Sequence, residues 1–153
     1  MRVVIFRAEK EKIHFMDCEL KAESVIVGDK GKISLETARS SGEKYKLIMD
    51  GVATLIKKYF PDKLVYRSGQ GFRGNIDEIR YTNEAMLTYF AYANEIDVEE
   101  LTQSGVRKKL GIKNPEFKSL LEKETKELIA EYGFAKSDKI LESLVFVSVL
   151  RSL

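Results

Sequence analysis

Along the first third of the chain the apolar positions fall in short β-branched or alternating runs, not at helical spacing. Val3-Val4-Ile5-Phe6 is one such run and residues 12–18 are another, with the polar Glu9-Lys10-Glu11 between them as a hairpin turn. A third run, residues 23–27, stops at Gly28-Asp29-Lys30-Gly31, which predicts a turn. Ile33-Ser34-Leu35 either extends that third strand or makes a short return. Together these runs predict an antiparallel three-stranded meander.

The period then changes. Ser40 with Glu43 three residues later has the capping-box pattern, and Tyr45, Ile48, Val52, Leu55, Ile56 and Tyr59 recur behind it at helical spacing. This predicts a helix over 43–60, ended by Pro61-Asp62. Residues 63–67 read as a fourth strand. Asn75 and Glu78 repeat the capping box and open a helix over 76–93, with Ile76, Ile79, Met86, Leu87 and Phe90 as its apolar face. A fifth strand is expected at 96–99. Three helices follow: 102–111, then 115–132 with Asn114 as N-cap and Pro115 in the first helical position, then 137–152 opened by Ser137. A strand–helix–strand–helix–strand segment requires right-handed crossovers and a parallel half-sheet. Joined to the meander, it gives a single α/β domain over 1–153, a mixed five-stranded sheet with helices on both faces.

Composition narrows the function classes. With 153 residues, 44% of them apolar, the chain can build its own core without disulfide or metal. Its single cysteine, Cys18, excludes an internal disulfide and fits a reducing cytosol. The apolar run near the start is too short for a signal segment, and no stretch approaches the roughly 18–20 apolar residues that span a bilayer. A cytoplasmic protein with no membrane partner is expected. The 26 basic and 24 acidic residues leave a net charge of only +2, so any case for nucleic acid rests on where the charges lie.

Several local patterns carry candidate chemistry. Gly69-Gln70-Gly71-Phe72-Arg73-Gly74 matches G-x-G-x-x-G between a strand and a helix, with Asp97 near the place of a ribose-binding acid. It follows the fourth strand, however, and only one strand remains after it, so two mononucleotide halves cannot be built. A plain loop is the simpler reading. An intermediate one puts Phe72 against an unpaired base, with Arg73 on a phosphate, at the ligand-binding end of the sheet. Arg107-Lys108-Lys109 is the densest basic cluster; it is either a phosphate contact or a solvated helix face partly neutralised by Asp97, Glu99 and Glu100. His14, the one histidine, is read as a packing residue. Tyr81 and Tyr89 fall off the apolar stripe of their helix and could form a partner surface.

The element order, with its closing run of helices, resembles the RNase H-like fold and in particular the Holliday-junction resolvase RuvC and its small relatives. Pro61-Asp62-Lys63-Leu64-Val65, Val106-Arg107-Lys108-Lys109-Leu110-Gly111, and Ser137-Asp138 opening the last helix carry the resemblance. It implies four carboxylates gathered at the centre of the sheet, holding two divalent ions for phosphodiester cleavage. The first-strand position is here Arg7 and the fourth-strand position Arg67. On the last helix Asp138 is retained, while the position three residues on is Leu141 and Glu142 comes one later. Guanidiniums repel Mg²⁺ and attract phosphate or carboxylate groups. The expectation is therefore a degenerate RuvC-like protein, needing no cofactor, that binds nucleic acid, DNA ahead of RNA. Arg7, Arg67, Phe72, Arg73, Lys108 and Lys109 are its expected contacts, with pairing of the arginines to Glu9 or Asp138 as the structural reading. The alternatives are an active Mg²⁺-dependent junction nuclease using Asp138, Glu142 and Glu9, and a homodimeric interaction scaffold packing through the second helix.

Overall fold

The computed structural model describes residues 1–68 and 77–151. Its strands are β1 (Arg2–Ala8), β2 (Lys12–Leu20), β3 (Val25–Ser34), β4 (Lys63–Arg67) and β5 (Asp97–Leu101). The helices are α1 (Ser41–Tyr59), α2 (Glu78–Ala93), α3 (Gln103–Leu110), α4 (Asn114–Tyr132) and α5 (Lys139–Leu150). One sheet runs in the order β3-β2-β1-β4-β5. The β1–β2 and β2–β3 pairs are antiparallel, whereas β1–β4 and β4–β5 are parallel. The mixed sheet, its element order and the helical layers are those expected from the hydrophobic pattern.

Strand alternation sorts the core into two layers. Val3, Ile5, Met16, Cys18, Val65 and Leu101 pack under α3, α4 and α5. Val4, Phe6, Ala8, Ile13, Leu64 and Tyr66 pack under α1 and α2. α5 is buried along nearly its whole length and lies directly on β1, β2 and β4, which accounts for its apolar sequence.

The expected turn at 28–31 is instead the middle of β3, which continues to Ser34. These glycines serve close approach between strands. A Cβ at Gly31 would lie 2.7 Å from the Phe15 ring opposite it, and one at Gly28 would lie 2.7 Å from a carboxylate oxygen of Asp17. The helix starts also shift, each by one or two residues. Ser40 does cap α1, accepting from the Glu43 amide, but the Glu43 carboxylate accepts from the Arg39 amide. Asp77 caps α2 by accepting from the Arg80 amide, and Asn75 lies outside the described residues. Lys113 takes the N-cap position of α4, with Asn114 and Pro115 already helical, and Asp138 rather than Ser137 caps α5.

Candidate functional site

Because β1, β4 and β5 are parallel, their C-terminal ends share one edge of the sheet, the edge at which open α/β sheets present ligand sites. Arg7 and Arg67 stand there side by side, one rung beyond the Phe6–Tyr66 pair. They keep the parity of Ile5 and Val65, so both reach toward α5. Both meet Glu142, in the first turn of that helix: Arg7 Nη2 lies 3.4 Å from Oε2, and Arg67 Nη1 donates to the same oxygen. Arg67 also lies over the Phe146 ring, 4.8 Å from its centroid and one turn along α5.

The setting is unusual for guanidinium groups. The Arg7 and Arg67 side chains are only 11% and 22% exposed, while the carboxylate between them is 50% exposed. A third guanidinium, Arg80 in the first turn of α2, adds its charge and is itself held by buried Glu84, Nε to Oε1 at 3.1 Å. Arg7 Nε and Nη1 and Arg80 Nη2 are buried with no hydrogen-bond partner among the described residues, as is Asn83 Oδ1. Burial, with the charges of Arg80 and Arg67 beside it, pushes Arg7 down to about 10 against the pull of Glu142 and Glu84. Arg67 is lowered for the same first reason, burial, which outweighs the attraction of Glu142.

The three acids expected as candidates are held apart in different partnerships. Glu142 sits between the arginines. Asp138 caps α5, accepting from the Ile140 amide at 3.3 Å, and pairs with Lys30 at 2.8 Å. Glu9 lies in the β1–β2 turn, bonded to His14 at 3.0 Å and 3.8 Å from Lys12. Burial alone would raise the Glu9 carboxyl, but the hydrogen bond and charge of His14, with Lys12 and Lys139, hold it below its usual range. Among the described residues no three His, Cys, Asp or Glu side chains gather to hold a metal ion. The arginines thus pair with Glu142, not with Glu9 or Asp138.

The basic cluster of α3 is separate from this site. Lys109 binds Glu99 at 2.6 Å, and Lys63 donates to the same carboxylate. Lys63 opens β4, four residues before Arg67 and so about 13 Å away along the strand. Lys108 is exposed and has no ion-pair partner among the described residues. Phe72 and Arg73 lie outside the described residues, as does the whole glycine motif. Cys18 is buried, which pushes its thiol up to about 12 and leaves it inert. Tyr81 and Tyr89 are exposed on α2, as their place off the stripe suggests.

Sequence reasoning missed Arg80, Glu84 and Lys139. Lys139 lines a hollow of about 480 Å³ with Arg7, Arg80 and Lys12, and a second one of about 330 Å³ with Arg67, Asp138 and Glu142. The signal for Arg80 and Glu84 was present: counting back from Leu87 by three, four and seven residues gives Glu84, Asn83 and Arg80, polar residues on a buried stripe.

No protein-family model matches the chain, and no curated protein does. Solved structures do. Thermus thermophilus RuvC in complex with Holliday junction substrate aligns with a TM-score of 0.68 at 10% identity, over 95% of this chain and 92% of that one. The yeast mitochondrial Holliday junction resolvase aligns at 0.63 and 16% identity, over 99% and 78% respectively. The fowlpox virus Holliday junction resolvase aligns at 0.56 and 12% identity, over 95% and 94%. At these identities the likeness establishes the fold: the chain has the RNase H-like fold in its RuvC form.

Proposed function

We propose that this chain binds nucleic acid at the C-terminal edge of its sheet, with a cluster of guanidiniums where a two-metal nuclease of the same fold keeps its acids. The observation that carries the reading is Arg7 and Arg67 flanking one half-exposed carboxylate, Glu142. A divalent ion does not fit these residues. Mg²⁺ needs several oxygen ligands in tight geometry. Here it would meet two guanidiniums at the sheet centre, and each nearby acid would first have to be released from a cation. No cleavage step is derived for such a site.

What the cluster suits is an anion. Guanidinium donors match phosphate oxygens in a fixed fork, and desolvated ones bind an incoming anion more strongly than exposed ones. Glu142 is exposed enough to move aside for a backbone phosphate. Lys139 and exposed Lys108 are further contacts, and Phe72 and Arg73 are proposed beside them. Lys109 can contribute only by leaving Glu99. RuvC has been solved with Holliday junction DNA, which makes a four-way DNA junction the natural probe.

The test is an anisotropy titration of a labelled four-way junction in low salt with EDTA. The wild-type protein is expected to bind without metal. Replacing Arg67 and Arg80 by Ala should flatten the salt dependence by about two units in log–log slope, near 0.9 for each lost phosphate contact. Unchanged affinity in that variant overturns the reading. Junction cleavage in Mg²⁺ or Mn²⁺, abolished by Asp138→Asn, would instead promote a nuclease using Asp138, Glu142 and Glu9. The exposed Tyr81, Tyr89 and Tyr92 of α2 favour one further reading, a homodimeric scaffold. A tight dimer by light scattering, with no DNA affinity, would support it.

A further inference from the structure

A cavity of about 770 Å³ runs along α4. Phe117, Leu121 and Ile129 form its floor, and Lys118, Lys126 and Lys136 stand on its walls with Glu122 as the acid beside them. These three lysines enter no ion pair among the described residues, whereas Lys123 on the same helix is paired with Glu127. The groove thus sets three lysines without a salt bridge among the described residues over an apolar base, with Glu122 as the one acid in its lining.

It is also continuous with the arginine cluster. Leu121, Thr125 and Lys136 line both this groove and the hollow that holds Arg67, Lys139 and Glu142. Lys139 in turn borders the hollow of Arg7 and Arg80. The three hollows thus join from α2 across the sheet edge and out along α4; the one beside α2 also carries Glu9, Glu11, Glu36 and Asp77, so the basic side chains lead only on the α4 side. Lys118 and Lys126, eight residues apart, are separated by about 12 Å along the helix axis.

We propose that the α4 groove carries a nucleic-acid strand away from the arginine cluster, with Lys118, Lys126 and Lys136 on its phosphates and the apolar floor under its sugars and base edges. The proposal rests on the nucleic-acid reading of that cluster. An isolated inorganic ion would leave most of the floor uncovered, so the occupant is a polymer, and continuity with guanidiniums that suit phosphate favours nucleic acid over an acidic peptide.

The experiment uses the full chain and a labelled single-stranded DNA, with Lys118→Ala/Lys126→Ala/Lys136→Ala compared with wild type over a salt series. At about 0.7 units per single-strand contact, the triple variant should lose about two units of log–log slope while still binding a dinucleotide as the wild type does. Circular dichroism should show the same fold, since the three side chains sit on the surface. If wild type binds the strand and the triple variant keeps the full slope, the groove proposal falls while the arginine reading stands. If wild type binds no nucleic acid, both fall. If polyglutamate binds wild type as tightly as DNA and the triple variant loses both, the groove is a general acidic-polymer site and the proposal is overturned.

Discussion

At the scale of single residues, Arg7 is placed against its own interest. Its guanidinium is mostly buried, two of its nitrogens have no partner among the described residues, and it neighbours two other guanidiniums. A buried charge in such a setting destabilises the fold, and a functional role accounts for its being kept. Arg7→Met is therefore expected to stabilise the protein by about 1–4 kcal/mol, because Glu142 keeps Arg67 and ample solvent after the change. The same substitution should weaken DNA binding. A denaturant titration showing lower stability would contradict this account of Arg7. Glu142 has the opposite role, occupying the position proposed for phosphate. Glu142→Gln should tighten DNA binding several-fold and steepen the salt slope by about one unit, as two guanidiniums lose their internal counter-ion. Weaker binding would mean that the carboxylate orients the arginines instead of competing with the ligand.

Much of this was legible in the residues. Strand alternation places Arg7 with Ile5 and Arg67 with Val65, so their common side follows from parity alone. Their partner did not follow, because Glu142 meets them only through the packing angle of α5 on the sheet. Arg80 stayed hidden because the apolar stripe of α2 was anchored on Ile79, which is 46% exposed, while Asn83 and Glu84 occupy the buried face. Polar side chains facing a core look like surface until the neighbouring guanidinium is in place.

At the scale of elements, β3 is where local signal and structure part. Gly28-Asp29-Lys30-Gly31 has turn chemistry, yet the cross-strand ladder to β2 runs through it with one irregularity between Met16 and Cys18. Here tertiary pairing overrides local preference: Gly31 leaves room for the Phe15 ring, a covering of glycine by an aromatic that also pins register. Gly31→Ala should accordingly cost about 1–3 kcal/mol through overpacking, read as a lower unfolding midpoint. A neutral result would show that Phe15 can swing away and that the strand does not depend on this contact. The helices were more legible, since apolar spacing fixed their existence. The starts of α2 and α5 moved by two residues because Asp77 and Asp138 supply the side-chain oxygen that caps them.

At the scale of the whole molecule, the near-balanced charge conceals a directional arrangement. Lys63 and Lys109 are neutralised by Glu99 on one flank, Lys30 by Asp138 at the start of α5, and Arg2 by Asp17 at the opposite end of β1. Lys118, Lys126, Lys136 and Lys139 remain without such partners among the described residues; Lys136 and Lys139 border the hollow of Arg67, and Lys118 and Lys126 the groove that adjoins it. A net charge of +2 is compatible with a polyanion site when the acids are spent elsewhere. The fold itself, shared with resolvases, leaves the chemistry open, because function resides in the side chains grafted onto it. The most direct test is a crystal of the protein soaked in Mn²⁺ and measured for anomalous scattering. The account predicts no ordered manganese between β1, β4 and the start of α5. An anomalous peak ligated there by Glu142 and Asp138, with Arg7 and Arg67 swung away, would contradict it.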